Sequence, residues 1–324
     1  MAGPRAALPV SVVIPVYNAL ERLPAAVAAA RAQDAPPREI VVVDDGSTEG
    51  TALQAIERAG LGLEGAVPLR VERQTNGGPS RARNRGVALA TAPWVAFLDG
   101  DDTWEPDKLR HQWTAVQRHP ETALVSTSWR RPGVPRPAGP VPPARLHLRP
   151  VREVAWLNRF QTSTVLARRD ALEAAGLFDP SMDGLEDWDM WLRVVAHGPW
   201  AHVPFPLVLY TDSPGGVSKN TLRAYEAGAR RLGAYRRGEG DARVVAAVGE
   251  GVLLWHHLRF ALAFHRLGEP ERRRRCLAAA WRPGTRLLCL GVAARGLVPF
   301  LAGRVLARLR GAPSGATGGA PRGA

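Results

Sequence analysis

EIVVVDDGST, residues 39–48, changes character halfway: Glu39 to Val43 is short, apolar and β-branched, while Asp44-Asp45-Gly46-Ser47-Thr48 is polar. An apolar run that stops on turn residues reads as a buried strand ending at a sheet edge. The pattern recurs on both sides. Pro9 to Tyr17 (PVSVVIPVY) and Trp94 to Leu98 are buried-strand runs, and the second ends in Asp99-Gly100-Asp101-Asp102; Pro68 to Gln74 reads as a further strand. Helical segments lie between them. Ala19 to Gln33 carries Leu20, Leu23 and Val27 at helical spacing before Pro36-Pro37 breaks it, Thr51 to Ala59 follows, and Pro79 to Ala90 opens on Pro79 and Ser80. Strands alternating with short helices predict an α/β fold, a mixed but mainly parallel sheet flanked by helices. Ligands bind such sheets outside the carboxyl ends of the strands. The polar clusters after Tyr17, Val43 and Leu98 are therefore expected on one edge.

The remainder is organised differently. Pro132 to Pro150 is rich in Pro and Arg and reads as an extended, solvated insertion over the sheet. Leu172 to Gly198 reads as helix, loop, helix; Trp188, Trp191, Leu192 and Val195 fall on one face of the second helix, which begins near Leu185. Beyond Gly216 the chain reads as helical. The expected organisation is a tail over 1–8, a catalytic domain over 9–215, a basic helical region over 216–310 and a disordered tail over 311–324.

With 324 residues, 45% hydrophobic and 23% charged, the chain is neither generally disordered nor collagen-like. Its two cysteines, Cys276 and Cys289, are too few for a thiolate metal cluster and point to a reducing compartment. No secretory signal or apolar run of membrane-spanning length is read, so a cytoplasmic location is expected. The net charge of +13 sits in one place: from Gly216 onward there are 20 Lys and Arg against 6 Asp and Glu. Partner arguments from charge apply only there.

Three carboxylates within four residues, Asp99, Asp101 and Asp102, repel one another unless a cation sits among them. Mg²⁺ prefers one or two carboxylates plus phosphate oxygens; a solvated Asp/Gly turn is the structural alternative. Asp44 can accept hydrogen bonds from a ribose or base while Ser47 or Thr48 caps the following helix. Arg81 and Arg83 point to different faces, so one can reach a diphosphate while the other meets solvent; for either alone, a solvated helix charge is the plainer reading. Glu186-Asp187 opens the Trp-rich helix, where a carboxylate is favoured by the dipole and can also act as a general base. Gly60-Leu61-Gly62-Leu63-Glu64-Gly65 matches GxGxxG but follows a helix and precedes a strand, the reverse of the dinucleotide context. Ser163 lacks the GxSxG frame of a hydrolase nucleophile.

Taken in order, SVVIPVYNA, EIVVVDDGSTEGT, NGGPSRARNRGVALATAPWVAFLDGDDTWEPDKL and GLFDPSMDGLEDWDMWLRVV resemble family 2 glycosyltransferases, from Ser11 to about Ser218. The resemblance implies the GT-A fold with a helical C-terminal extension, and inverting transfer from a nucleotide-diphosphate sugar with Mg²⁺ or Mn²⁺. It implies that Pro15, Tyr17 and Asn18 line the nucleotide pocket, that Asp44, with Asp45, binds base or ribose, and that Arg83 and Asn84 lie beside the donor. Asp99 and Asp101 match the DxD metal motif with Asp102 adjacent, and Asp187, with Glu186 beside it, matches the catalytic base. The chain departs from the family in Tyr210 to Ser218, which keeps Tyr, Gly and the final Ser but lacks the usual Arg and His. Sugar nucleotidyltransferases carry a Gly-rich phosphate loop after the first strand, absent here.

Arg272 to Arg275 form a basic run, followed by an apolar stretch from Leu287 to Leu306 broken by Arg295 and Arg304; on a helical wheel Arg282, Arg286, Arg304 and Arg308 cluster, with Arg295 opposite. An interfacial helix on an anionic membrane surface fits this pattern, placing the protein at the inner face of the cell membrane with a glycan or lipid-linked acceptor. A solvated Arg-rich appendage fits it equally. Nucleic-acid binding through the basic region is the weaker reading, since aromatic interleaving is sparse. A catalytically impaired, transferase-like scaffold is the other alternative.

Overall fold

The computed structural model describes residues 6–148, 150–182, 184–211 and 220–280, and the chain divides at Val217 into two compact units. The first unit opens as the sequence pattern predicts: β1 (Leu8–Val16), α1 (Leu23–Arg31), β2 (Pro37–Asp44), α2 (Ala52–Arg58), β3 (Leu69–Arg73), α3 (Pro79–Leu89) and β4 (Trp94–Phe97). Val12, Ile14, Ile40 and Val42 are fully buried against Leu23 and Val27 of α1 and Ile56 of α2. The other face of β2, Val41 and Val43, packs on Ala82 of α3. A strand buried on both faces needs no alternation, and that is why these runs read as continuous apolar stretches.

Local signals set the element ends. Thr51 caps α2, its hydroxyl accepting from the Gln54 N–H at 3.2 Å while the Gln54 side chain accepts from the Thr51 N–H at 3.1 Å. The cap expected from Ser47 or Thr48 thus falls three or four residues later. α3 begins at Pro79, whose missing N–H costs nothing in a first turn.

After β4 the chain forms β5 (Thr103–Trp104), α4 (Lys108–Arg118), β6 (Leu124–Arg130), β7 (Arg145–His147), α5 (Pro150–Trp156), β8 (Leu166–Arg168), α6 (Arg169–Ala174), α7 (Glu186–Val194) and β9 (Trp200–Leu209). The sheet order is β3-β2-β1-β4-β8-β6-β9-β5, with β7 also on β9. β3, β2, β1 and β4 are parallel; β8 is antiparallel to both β4 and β6, and β6 pairs parallel with β9. The carboxyl ends of β1, β2, β4, β6 and β9 therefore share one edge.

The Pro-rich segment needs correction. Residues 131–144 form no helix or strand, but Arg145–His147 is a strand on β9 and Pro150 opens α5. The segment is solvated as expected, most of residues 132–143 being exposed, but it is pinned at Arg136. Arg136 donates to Asp107 at 2.9 and 2.6 Å and to Glu105 at 3.1 Å, with its guanidinium carbon 5.2 Å from the Phe205 ring centroid.

The second unit contains α8 (Thr221–Arg236), α9 (Ala242–Ala247), α10 (Glu250–Arg266) and α11 (Pro270–Ala280). α10 packs on α8 and α11 through Tyr225, Phe264 and the buried Cys276. Both His256 and His257 are buried; His256 Nε2 lies 2.9 Å from the Tyr225 carbonyl, and the Tyr225 hydroxyl 3.1 Å from His257 Nδ1. Arg272 to Arg275 lie on α11. No helix of the described residues is long and apolar enough to cross a membrane. Cys289, the arginines from Arg282 to Arg308, the tail from 311 and the departure at residues 212–218 lie outside the described residues.

Candidate functional site

Three loops meet at the shared edge. The first two bind each other. Asn18, in the left-handed region at φ 54°, donates its N–H to the Ser47 hydroxyl at 3.1 Å, and its side-chain carbonyl accepts from the Thr48 N–H at 2.8 Å. Tyr17 beside it is 50% exposed. Asp44 faces inward: Oδ1 accepts from the Ser47 N–H at 2.8 Å and Oδ2 from the Ala52 N–H at 2.9 Å. It shapes the turn and holds the start of α2 rather than presenting a free carboxylate. Asp45 is buried too, accepting from the Gln74 side chain at 2.8 Å and from the N–H groups of Gly77 and Gly78 at 2.9 and 2.8 Å. It ties the loop after β2 to the loop that enters α3. Gly46 sits between at φ 77°, where a Cβ would fall 2.8 Å from the Asn76 backbone nitrogen.

α3 delivers Arg83 to the centre. Of the two arginines, Arg81 is exposed and Arg83 is buried, so the solvated-charge reading fails for Arg83. Its Nη2 donates to Asp99 Oδ1 at 3.0 Å and its Nη1 to Glu186 Oε1 at 3.2 Å, with the guanidinium carbon 5.5 Å from the Phe178 ring centroid. The buried Nε–H has no partner among the described residues. Burial opposes its charge, but Asp99 and Glu186 more than offset this and raise its pKa. Asn84, the next residue, points elsewhere: its side chain donates to the Phe178 carbonyl at 2.8 Å and accepts from the Phe178 N–H at 2.9 Å, clamping the segment before α7.

Glu186 and Asp187, adjacent on the first turn of α7, have different surroundings. Glu186 is buried between Arg83 and the Gly184 N–H, an anchor for the helix. Asp187 accepts from the Asn158 side chain at 2.8 Å and the Trp188 N–H at 2.6 Å. Burial and the neighbouring Glu186 charge push its carboxyl up to about 6. A carboxylate held near neutrality suits proton abstraction.

The acidic loop after β4 divides its three carboxylates. Asp99 gives Oδ1 to Arg83 and keeps 30% of its side chain exposed; Asp101 is partly exposed. Asp102, expected to face a metal, turns inward instead. Oδ2 accepts from the Ser163 hydroxyl at 2.5 Å and Oδ1 from the Thr211 N–H at 2.8 Å. Burial, with Asp99 and Asp101 nearby, pushes it up to about 7. Ser163 also accepts from the Asp99 N–H at 3.0 Å, and its carbonyl accepts from Trp104 Nε1 at 2.8 Å. Below Trp104 lies Lys108, fully buried, its ammonium 3.8 Å from the ring centroid and donating to Gln112 at 2.8 Å. Among the described residues no group of three or more His, Cys, Asp and Glu is placed to hold a metal by protein ligands alone. Asp99 and Asp101, both partly exposed, fit a cation shared with a diphosphate, which needs no third protein ligand. Pro15 lies beneath the loop, its carbonyl oxygen 3.3 Å from where a Cβ on Gly100 would stand.

Residues 11–176 match the family described as Glycosyl transferase family 2. The chain belongs to that family. The amylovoran biosynthesis glycosyltransferase AmsB of Erwinia amylovora is 37% identical over 112 residues, 33% of this chain and 36% of that protein. The chain thus spans little more than a third of this relative. S. aureus TarS 1-349 in complex with UDP-GlcNAc superposes with a TM-score of 0.63 at 19% identity, covering 83% of this chain and 79% of that one. The mannosyltransferase PcManGT from Pyrobaculum calidifontis, in complex with GDP-Man and Mn²⁺, gives a TM-score of 0.58 at 22% identity over 95% and 87% of the two chains. The fold is GT-A, a mixed sheet of mostly parallel strands flanked by helices, with a helical C-terminal part.

Four supporting residues carry no signal in the sequence for the part they play: Ser163, Thr211, Asn158 and Phe178. Each acts through a long-range contact with no local signature. Ser163, which lacks a hydrolase frame, instead bonds Asp99 and Asp102, some sixty residues earlier in the chain.

Proposed function

We propose that this chain transfers a sugar from a nucleotide-diphosphate donor to an acceptor hydroxyl with inversion, using a divalent cation, in the synthesis of an envelope polysaccharide or glycolipid. One observation carries the reading: buried Arg83 bonds at once to Asp99 of the acidic loop and Glu186 of α7, so two distant carboxylate segments meet on one side chain. The complex of PcManGT with GDP-Man and Mn²⁺ supports the donor class and the cation. AmsB, named for amylovoran biosynthesis, supports the polymer context.

Asp99 and Asp101 would hold Mg²⁺ or Mn²⁺ against the donor diphosphate, and the bound cation would neutralise charge on the leaving group. Tyr17 and Asn18 border the nucleotide side. Asp187 takes the proton of the acceptor hydroxyl as its oxygen bonds to the anomeric carbon. The bond to the diphosphate breaks on the opposite face, which inverts the configuration. Asn158 and the Trp188 N–H fix the direction of the Asp187 carboxylate. Glu186 and Arg83 act as positioning residues.

The test is a panel of UDP-, GDP- and dTDP-sugars scored for Mn²⁺-dependent thermal stabilisation and sugar release. One donor raising the melting temperature only with the cation is expected. No stabilisation by any donor would overturn the reading, and binding without turnover would leave the scaffold alternative. For the C-terminal unit we propose contact with anionic lipid, supported by Arg272 to Arg275 on α11. Failure to co-sediment with phosphatidylglycerol vesicles at low salt would remove it.

A further inference from the structure

Among the described residues, the exposed large aromatic side chains are Tyr17 and Trp129, 50% and 42% exposed. Single exposed apolar residues are ordinary on a protein surface. These two, however, sit at the carboxyl ends of β1 and β6, on the same edge of the sheet, on opposite sides of the loop that follows β4. β6 lies two strands from β4, about 10 Å away at ordinary strand spacing. Trp129 therefore stands to one side of the acidic loop, two strand spacings away along the same edge.

The exposure of Trp129 has a cause in the sequence. β9 contains Pro204 and Pro206, which cannot donate to a ladder. Its pairing with β6 slips there: Thr127 faces Val203, Ser128 faces Pro206 and Trp129 faces Val208, with a register shift at each step. Irregularities of this kind re-aim side chains beside active sites. Past the second shift the Trp129 ring meets Tyr210 edge-on, centroids 5.2 Å apart at 64°. Tyr210 donates its N–H to the Arg130 carbonyl at 2.8 Å, and the next residue, Thr211, donates to Asp102. An aromatic wall is thus joined through one residue to the acidic loop. Its surroundings are polar: Arg130 and Arg136 pair with Glu105. That mixture suits a ligand with one apolar face and a hydroxyl-bearing rim, and it does not suit an acyl chain.

We propose that Trp129, buttressed by Tyr210, is the platform on which a pyranose ring of the acceptor glycan stacks. The assignment to acceptor rather than donor rests on the proposed transferase reading, in which the nucleotide lies on the β1–β2 side with Tyr17. Ring stacking supplies orientation with little directional hydrogen bonding, so Trp129 governs which acceptors are held and leaves the donor to other residues.

The test uses the full chain, as wild type, Trp129→Ala and Trp129→Phe, with Leu148→Ala as an exposed-residue control. Methyl glucoside, methyl galactoside and methyl N-acetylglucosaminide serve as probes. Saturation-transfer NMR without donor reads binding directly, and steady-state kinetics read acceptor and donor KM separately. Trp129→Ala is expected to abolish the saturation signal on the ring C–H protons and raise acceptor KM about tenfold, equivalent to about 1.4 kcal/mol. Donor KM should hold within about twofold on that same scale, and Trp129→Phe should recover most of the loss. Equal signals from wild type and Trp129→Ala would overturn the platform, as would a donor KM that rises instead of the acceptor KM. A signal lost in Trp129→Ala with no donor turned over by wild type would sustain the sugar platform and overturn the transferase reading.

Discussion

Arg83 donates to Asp99 at 3.0 Å from inside the protein, binding α3 to the loop after β4 with a buried charge. Removing one partner of a buried pair leaves the other charge uncompensated. Arg83→Ala should lower unfolding free energy by about 3–5 kcal/mol in urea titration. Arg83→Lys should recover only part of it, because an ammonium cannot fork between Asp99 and Glu186.

Asp187 should set the acid limb of the pH profile. Its carboxyl is pushed up to about 6, so kcat/KM should rise with pH through that value and level off above it. Asp187→Asn should cut turnover by about 10²–10⁴-fold, keep donor affinity and lose the limb. An unchanged limb in the variant would assign it to another group.

The acidic loop should separate by function. Asp99→Asn and Asp101→Asn should raise the Mn²⁺ concentration that half-saturates thermal stabilisation in the presence of nucleotide. Asp102→Asn should chiefly lower the melting temperature, since Asp102 is engaged by Ser163 and Thr211. A larger metal effect from Asp102 than from Asp101 would return it to the ligand set.

His202 should contribute to acid instability. Burial, then the nearby His147 and Arg145 charges, lower its pKa to about 4, while Ser126 and Ser128 bond its ring. A depressed folded value means stability that is full above the unfolded value of about 6.5 and is lost as pH falls toward about 4, at up to about 1.4 kcal/mol per pH unit. His202→Gln should flatten that part of the wild-type stability curve.

Gly46→Ala should be costly. The residue lies at φ 77°, and the new Cβ would fall 2.8 Å from the backbone nitrogen of Asn76, which cannot swing aside as a side chain can. A loss of about 1–3 kcal/mol is expected, with weaker donor-dependent stabilisation because Ser47 and Asn18 belong to the same turn.

The first half of the fold was legible because β1, β2 and β4 are buried on both faces and announce themselves as unbroken apolar runs. β9 was not: its two prolines argue against a strand, and only pairing with β6 overrides them. Arg145–His147 hid inside a Pro-rich stretch for the same reason. At the site, sequence spacing located the carboxylates, yet it could not tell partly exposed Asp99 from inward Asp102. That distinction rests on Ser163 and Thr211, whose separation along the chain leaves no local trace. Asp44 and Glu186, read as chemical groups, turned out to be engaged in holding backbone and Arg83.

Lys108 has a practical consequence. The chain holds only two lysines, Lys108 and Lys219, against a large excess of arginine. The ammonium of Lys108 is sealed under Trp104, and burial lowers its pKa well below the ordinary lysine value. Apart from the α-amine, amine-directed labels and cross-linkers will therefore pass over the first unit while it is intact and mark it at one lysine once the sheet opens. Acylation of that one site, followed by mass spectrometry, turns the residue into an intrinsic gauge of unfolding.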